Sequence, residues 1–536
     1  MIKVLHNGRF FLPQTVRKTD AKFAHYLVID EATGKILQVG FAGDASIDAY
    51  ILAGVEKHDM QGRVVLPGFV DGHMHLLMTG ESISKLDIGS CTNLADIQAT
   101  IRAYAAANPD LPRLLCRNWF QSSTNGEALA SQLDGFDSRS IYIDSFDLHS
   151  VWCNTAALEE LGLEKLPDPP GGHIHRDGTG KPTGLLSESA VVTLVWPFLS
   201  SKHSIEAKLA YLDAAFEAYI TAGYLSVGEL AMDEDMWQLL SHYEAKRGPL
   251  PLYVTAYWLI SPQESEADVL RQVDRATELF TKPDHGEGGR RRIGGIKIIC
   301  DGPALREPYS HDNSNADAAW TLARLAVVLR RGGAAGLQCA LHAIGDAAIG
   351  IALDALALVG NPAGRHRIEH LELCSPSDAA RLGALGVVAS VQPVHSDPVG
   401  LTAWPKLIGA GPCRHVFPYA PFADSGAVLA VGSDCPTAPH DPLANLHVAV
   451  TRRSARRPEL EDVVAPESAL KLADAVTATT VGAAYACFVD RWTGRLEAGF
   501  VADLAVVDME WDPRMLLKAT VVETWSRGRR VFGKSK

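Results

Sequence analysis

Three features of this 536-residue chain predict an α/β fold: a (β/α)8 TIM barrel with an insertion after its first strand, plus a small β-sandwich domain built from both termini. Short, β-branched apolar runs recur from residue 64 onward, and most gaps between them carry Ala/Leu-rich helical spacing. Histidines, a lysine and an aspartate fall at or near the C-terminal ends of those runs. Near-continuous apolar strands alternating with helices describe a parallel sheet covered on both faces, and eight of them close a barrel.

Taken in order, "VLHNGRFFL" and "HYLVIDEATGKILQVG" near the start read as strands joined by a turn. The barrel runs follow as VVLPGFV (64–70), LSVGEL (225–230), YVTAYWLI (253–260), GGIKIIC (294–300), LQCALHAI (337–344), HRIEHL (366–371), VVASVQP (387–393) and VLAVGSD (428–434). Between them, "ARLAVVLRRGG" (323–333) and "AAIGIALDALALVG" (347–360) repeat apolar residues at helical intervals. Residues 77 to 224 are far more than one crossover needs, so they hold an inserted subdomain. That insertion has its own strand, "IYIDS" (141–145), and a turn-rich stretch, "PDPPGGHIHRDGTGKPTG" (167–184), which is expected to be loop. "GRLEAGFVADLAVVD" and "VVETWSRGRRVFG" return to strand patterning at the end. The expected organisation is a composite β-sandwich over 1–63 and 482–536, a barrel over 64–481, and the inserted subdomain over 85–222.

Charge and composition narrow the function. A net charge of −13 argues against nucleic acid and anionic membranes, which select basic patches. The one dense basic cluster, "TRRSARR" (451–457), is short enough to be a solvated face. No secretory signal and no membrane span of ~18 apolar residues is visible, and the terminal "KSK" is not a peroxisomal address. Nine scattered cysteines without CxxC spacing suit reduced thiols in a cytoplasmic enzyme, with Cys300, Cys339 and Cys435 as small core residues. The expected partners are a small molecule and a second copy of the chain in a homodimer.

The stretch "LPGFVDGHMH" (66–75) ends on His73 and His75. In an extended segment, i and i+2 side chains share a face, so both imidazoles can converge on one ion. Spacing alone is weak evidence, since 19 histidines in 536 residues supply roughly 0.7 such pairs by chance. A second pair, His173 and His175, falls in the turn-rich stretch and is read as loop. Partners strengthen the first pair. Lys297 lies inside the fourth run, His342 ends the fifth, His370 the sixth and Asp434 the eighth, at the rim where barrel enzymes place their chemistry. Burying an ammonium in an apolar strand favours loss of its proton, and a neutral amine can add carbon dioxide to become an anionic, bidentate carbamate. The competing reading is a salt bridge to Asp301 or Asp434.

The set "PGFVDGHMH", "IKIICDG", "HAIGD", "RIEH" and "VGSD" resembles the amidohydrolase superfamily, and within it the amidohydrolase family 3 (YtcJ-like) branch that includes formamide deformylases. "DLHSVWCNTAAL" (147–158) and "GGHIHRDGTGKPTGLLSESA" (171–190) resemble that branch's inserted segment. The resemblance implies that His73 and His75 bind a first divalent ion with Asp434. It implies that carboxylated Lys297 bridges to a second ion held by His342 and His370. Zinc is the expected metal, although imidazole and carboxylate ligands also suit Fe, Mn, Ni or Co. Two ions sharing a water give hydroxide near neutral pH, and Asp434 would take the proton and pass it to a leaving nitrogen. Asp301, Asp346 and Glu369 are candidates to orient the ligands.

The expected activity is hydrolysis of a non-peptide C–N bond, of the amide or formamide type. Cyclic amide or imide, lactone and deamination chemistry, and a non-catalytic binding or regulatory role, are the alternatives. A site for one metal would not need Lys297. Substrate contacts are expected from Trp119, His149, Trp152 and Glu188 in the insertion, and from Arg306, His395 and Trp404 after the fourth and seventh strands. "DGPALREP" (301–308) departs from the branch's usual Asp-Gly-Ser/Thr-Leu-Gly, which detaches substrate specificity from the resemblance while leaving the metal ligands untouched.

Overall fold

The structure, a computed structural model, describes residues 1–13, 21–280, 289–301, 320–402, 404–409 and 411–533. Eight parallel strands form the central sheet: β1 (Phe69–Met74), β2 (Tyr224–Met232), β3 (Tyr253–Leu259), β4 (Arg291–Ile299), β5 (Gln338–Ala343), β6 (Arg367–His370), β7 (Val388–Val391) and β8 (Leu429–Val431). Each pairs with the next in chain order. Asp434 N donates to His73 O (2.7 Å) and His75 N to Cys435 O (2.9 Å), which draws the end of β8 onto β1 and all but closes the barrel. The approach at this seam is tight. A Cβ on Gly432 would lie 2.5 Å from the His73 nitrogen, so only glycine fits there.

Helices return the chain between strands, and their starts are capped as their sequences specify. Asp233, Ser265, Thr321, Ser375 and Asp441 each accept a backbone N–H from the first turn of the helix they precede. Inside the barrel, Leu230, Tyr257 and Ala340 pack as a buried layer, a filled core rather than a pore.

The run VVLPGFV does not form one barrel strand. Val64–Pro67 pairs with Arg9–Leu12 and Leu504–Asp508 in a different sheet, and β1 starts at Phe69. Pro67 cannot donate a backbone hydrogen bond, and the Pro67–Gly68 pair is where the chain crosses from one sheet to the other.

Strands from both chain ends make two further sheets, one of four strands over residues 2–59 and one of six over residues 9–67 and 504–533. They share one core that includes Phe10, Leu27, Ile29, Val65, Leu504, Val506 and Trp525.

The chain divides into two compact units: residues 1–75, 216–435 and 439–536, and residues 76–215 with 436–438. The second unit has a six-stranded sheet with cores built around Trp119, Trp152 and Ile141, and around Tyr142, Val151 and Leu186. Here His173 and His175 lie on a strand, Gly172–Arg176, paired antiparallel with Pro182–Glu188, and not in a loop. Ile174 is buried between the two exposed histidines, a period-two pattern. The polar Asp177–Lys181 stretch is only the hairpin turn, closed by Asp177 Oδ1 accepting from Thr179 and Lys181. Among the described residues no helix is long and apolar enough to cross a membrane.

Candidate metal centre

β1 is extended through His73, so its two imidazoles leave on one side, with ring centroids 5.7 Å apart. Both Nε2 atoms face the same oxygen, Oδ1 of Asp434, at 3.2 Å from His73 and 3.1 Å from His75. His73, His75 and Asp434 therefore offer three ligand atoms within 4.8 Å of one another. A second trio, His370, His395 and Asp434, meets the same criterion and shares the aspartate. His370 lies 5.1 Å from His73 and 4.4 Å from His342 ring to ring, and stacks on His395 at 5.7 Å. His342 falls outside both trios and directs Nε2 toward Asp301 Oδ1, 3.4 Å away. The residue completing the second trio is thus His395, which sequence reasoning placed with the substrate contacts.

Two of these residues sit in unusual backbone. His370 (φ 74°) and Asp434 (φ 56°) are left-handed, as is Leu371 (φ 55°). For residues other than glycine this costs about 1–3 kcal/mol each and persists where the surroundings over-determine it. Both lie where a strand ends and the chain turns away, so the twist re-aims the side chain into the mouth.

Behind the histidines is a set of buried carboxylates. Glu369 Oε2 lies 2.8 Å from His73 Nδ1, and Arg367 on the same face of β6 grips both Glu369 oxygens. Arg367 also donates to Gly72 O (2.7 Å) and Ser390 Oγ (2.6 Å), which ties β6 to β1 and β7. Burial works against the Glu369 charge, but Arg367 and His73 hold its carboxyl well below the usual range. Glu229 on β2 lies 3.7 Å from His75 Nδ1. Glu372 supports His395 Nδ1 at 3.3 Å. Asp71 accepts from His73 N, Ser433 N, Ser433 Oγ and Tyr219 OH, fastening the β1–β8 seam. Metal-binding histidines characteristically have such acceptors behind them.

The titration pattern follows from burial and charge. Burial opposes protonation of His75, yet Asp434 and Glu229 push its pKa up to about 9. Burial and the neighbouring His342 hold His370 well below its usual value, so it is a neutral donor. Asp434 stays anionic despite burial, because His73, His75 and His370 surround it. Burial lowers the pKa of Lys297, with Glu369 and Asp434 opposing. Among the described residues no carboxylate lies within ion-pair distance of Lys297, so the salt bridge to Asp301 or Asp434 does not form. Asp301 instead accepts from the Ile344 and Gly345 amides.

These residues fit divalent ions. The donors are imidazole nitrogens and a shared carboxylate, the set that zinc and its neighbours prefer. His370 Nδ1 is buried with no hydrogen-bond partner among the described residues, a deficit that a ligated ion would relieve.

The remaining expected contacts belong to both units. Trp119 is buried in the core of the inserted unit, 5.3 Å from Trp152, and its indole N–H has no acceptor among the described residues. Trp152 donates to Leu129 O. His149 and Glu188, both half-buried, pair at 3.1 Å in that unit, with Glu188 at φ 57°. Trp404 stacks on Phe417. Asp346 begins the helix after β5. Arg306 lies outside the described residues. Sequence reasoning missed Arg367, Glu229, Glu372 and Asp71. For Arg367 the signal was available: it stands two residues before Glu369 in an extended run, and so shares its face.

Known proteins resemble this chain along most of its length. A model described as "Amidohydrolase family" matches residues 57–532. The putative amidohydrolase YtcJ of Bacillus subtilis is 28% identical over 505 residues, covering 90% of this chain and 91% of that protein. The N-substituted formamide deformylase of Arthrobacter pascens is 24% identical over 536 residues, 92% of each. A crystal structure of an uncharacterized metal-dependent hydrolase from Pyrococcus horikoshii superposes with a TM-score of 0.74 at 24% identity, over 96% of this chain and 98% of that one.

Proposed function

This chain belongs to the amidohydrolase family, and from that premise we propose that it is a metal-dependent hydrolase cleaving a non-peptide C–N bond, of the amide or formamide type, in a small molecule. The observation that carries the reading is the pair of donor trios sharing Asp434, beside a buried Lys297 that has no carboxylate in ion-pair reach among the described residues. The deformylase name of one relative supports the amide class.

His73, His75 and Asp434 would hold one divalent ion, with zinc the expected metal, and His370 the second together with Lys297 and its neighbours His342 and His395. Burial lowers the Lys297 pKa, which favours the neutral amine that can add carbon dioxide: its nitrogen would bond the carbon, a proton would leave, and the resulting carbamate would supply an anionic ligand. Bound ions supply Lewis acidity, which lowers the pKa of a water and polarises the scissile carbonyl.

The chain's own residues supply the rest. Asp434 turns Oδ1 toward His73 and His75 and Oδ2 toward His395, 3.6 Å away. Held anionic, it accepts a proton from the attacking water and returns it to the departing nitrogen. His395, supported at Nδ1 by Glu372, presents Nε2 beside that carboxylate, where it completes the second donor trio. Glu369 keeps the His73 proton on Nδ1 and its Nε2 lone pair on the mouth. A screen of N-formyl and N-acyl amides with metal-loaded protein tests the reading. Turnover that disappears on chelation and returns with metal supports it. Metal-dependent turnover confined to lactones or heterocyclic amines would contradict the amide assignment.

A further inference from the structure

The mouth of the barrel is polar around most of its rim, but not all of it. His73 and His75 close β1, Glu229 lies near the end of β2, His342 and His370 end β5 and β6, and His395 and Asp434 follow β7 and β8. The two strands between Glu229 and His342 end instead on Leu259 and Ile299, with Asp301 beyond the end of β4 turned toward His342. Register fixes which way these point. Leu259 is paired with Lys297, and Ile299 with His342. Directly paired residues of parallel strands project to the same face, as do residues two apart on one strand. Lys297 faces Glu369 and Asp434 inside the barrel, so Leu259 and Ile299 also face inward, at the level of the metal residues and just above.

Ile299 is 41% exposed, the one large apolar side chain among the described barrel-strand residues left so open. Leu259 is partly exposed beside it. Barrel interiors bury branched apolar residues in layers, so an open isoleucine at the top of the lumen is a contact left uncompleted among the described residues. Beside catalytic groups, such a surface is completed by the substrate.

We propose that Leu259 and Ile299 form an apolar wall along the β3–β4 quarter of the metal mouth, and that the substrate is an amide carrying an alkyl or aryl group that packs against this wall. The inference rests on the amide-hydrolase reading and specifies its substrate class. The polar arc formed by His370, His395 and Asp434 takes the reacting carbonyl and nitrogen, while the apolar arc takes the substituent. Ile299 is therefore a specificity-determining residue.

The test uses straight-chain alkyl hydroxamates from acetyl to octanoyl, which anchor on metal through the hydroxamate and vary only in apolar length. Dissociation constants are measured on the metal-loaded full-length protein, which separates the wall from turnover. Wild-type affinity should tighten about three- to fourfold per added methylene over the first few carbons. Ile299→Asn, smaller and polar, should bind acetohydroxamate within about twofold of wild type and lose most of the chain-length gain. Ile299→Phe, which narrows the same space, should move the preferred chain to a shorter length and serves if the Asn variant does not fold. A flat wild-type series, or a chain-length dependence identical in the variants, overturns the wall while leaving the hydrolase reading in place. A wild-type protein that retains no metal and binds no hydroxamate of any length overturns both.

Discussion

Replacing Glu369 with glutamine probes how the site is held together. The carboxylate gives two acceptor oxygens to two donors: Arg367 engages both, and His73 Nδ1 engages Oε2 at 2.8 Å. An amide has one oxygen and one NH2, so either orientation sets a donor against a donor, at His73 or at Arg367. Both Arg367 and Glu369 are fully buried, and no water replaces the lost charge. Removing one partner of a buried pair costs about 3–5 kcal/mol. Loss of an orienting acceptor behind a metal-bound histidine weakens metal affinity about 10–100-fold, equivalent to about 1.4–2.7 kcal/mol. The assay is a metal titration in competition with a chromogenic chelator, alongside urea unfolding. Glu369→Gln should show both losses. Adding Arg367→Met to the same chain removes the stranded cation, so it should recover part of the stability and none of the affinity. Wild-type-like metal affinity in Glu369→Gln, within about twofold, would refute the orienting role. A double variant no more stable than the single would refute the buried-pair argument.

Two further perturbations follow from single contacts. Gly432→Ala places a methyl 2.5 Å from the His73 backbone nitrogen, so it should cost about 1–3 kcal/mol of stability and reduce retained metal by displacing His73; a variant with wild-type melting and metal content contradicts the seam. His366, remote from the metal residues, accepts a hydrogen bond from Cys339 N (3.0 Å) at Nδ1, and burial lowers its pKa to about 4. Its folded value lies below the unfolded one near 6.5, so the unfolded chain binds more protons between about pH 4 and 6.5 and stability is lost as the pH is lowered across that window, by about 3 kcal/mol from this group. His366→Asn keeps an acceptor for Cys339 and cannot titrate. Its unfolding free energy, measured from pH 4 to 7, should therefore depend less steeply on pH than that of wild type; parallel curves would contradict the assignment.

Much of the barrel was legible because its signals are periodic and local. Seven of the eight strands fall within a few residues of the apolar runs, and His73, His75, His342, His370 and Asp434 lie at strand ends where a counting argument puts them. The first run misled because a continuous apolar string hides the Pro67–Gly68 break between two sheets. The hairpin carrying His173 and His175 was hidden by its turn residues, which outnumber the single buried Ile174. What remained invisible depends on tertiary burial. Arg367, Glu229 and Glu372 look like ordinary surface charges until the fold removes water from around them. The left-handed backbone of His370 and Asp434 leaves no mark in composition, since neither is glycine. His395 follows a strand in a short 3-10 turn, Pro393–Ser396, whose direction no periodicity predicts.

The central claim is that side chains remote in sequence assemble a two-ion site around Asp434, bridged through Lys297. Elemental analysis of the purified protein, loaded with zinc in bicarbonate buffer and desalted, addresses it most directly. About two ions per chain are expected in wild type and about one in Lys297→Ala, with the remaining ion lost when His73 is also replaced. A wild-type protein that holds no more than a trace of metal, or a Lys297→Ala protein with undiminished metal content, would contradict it.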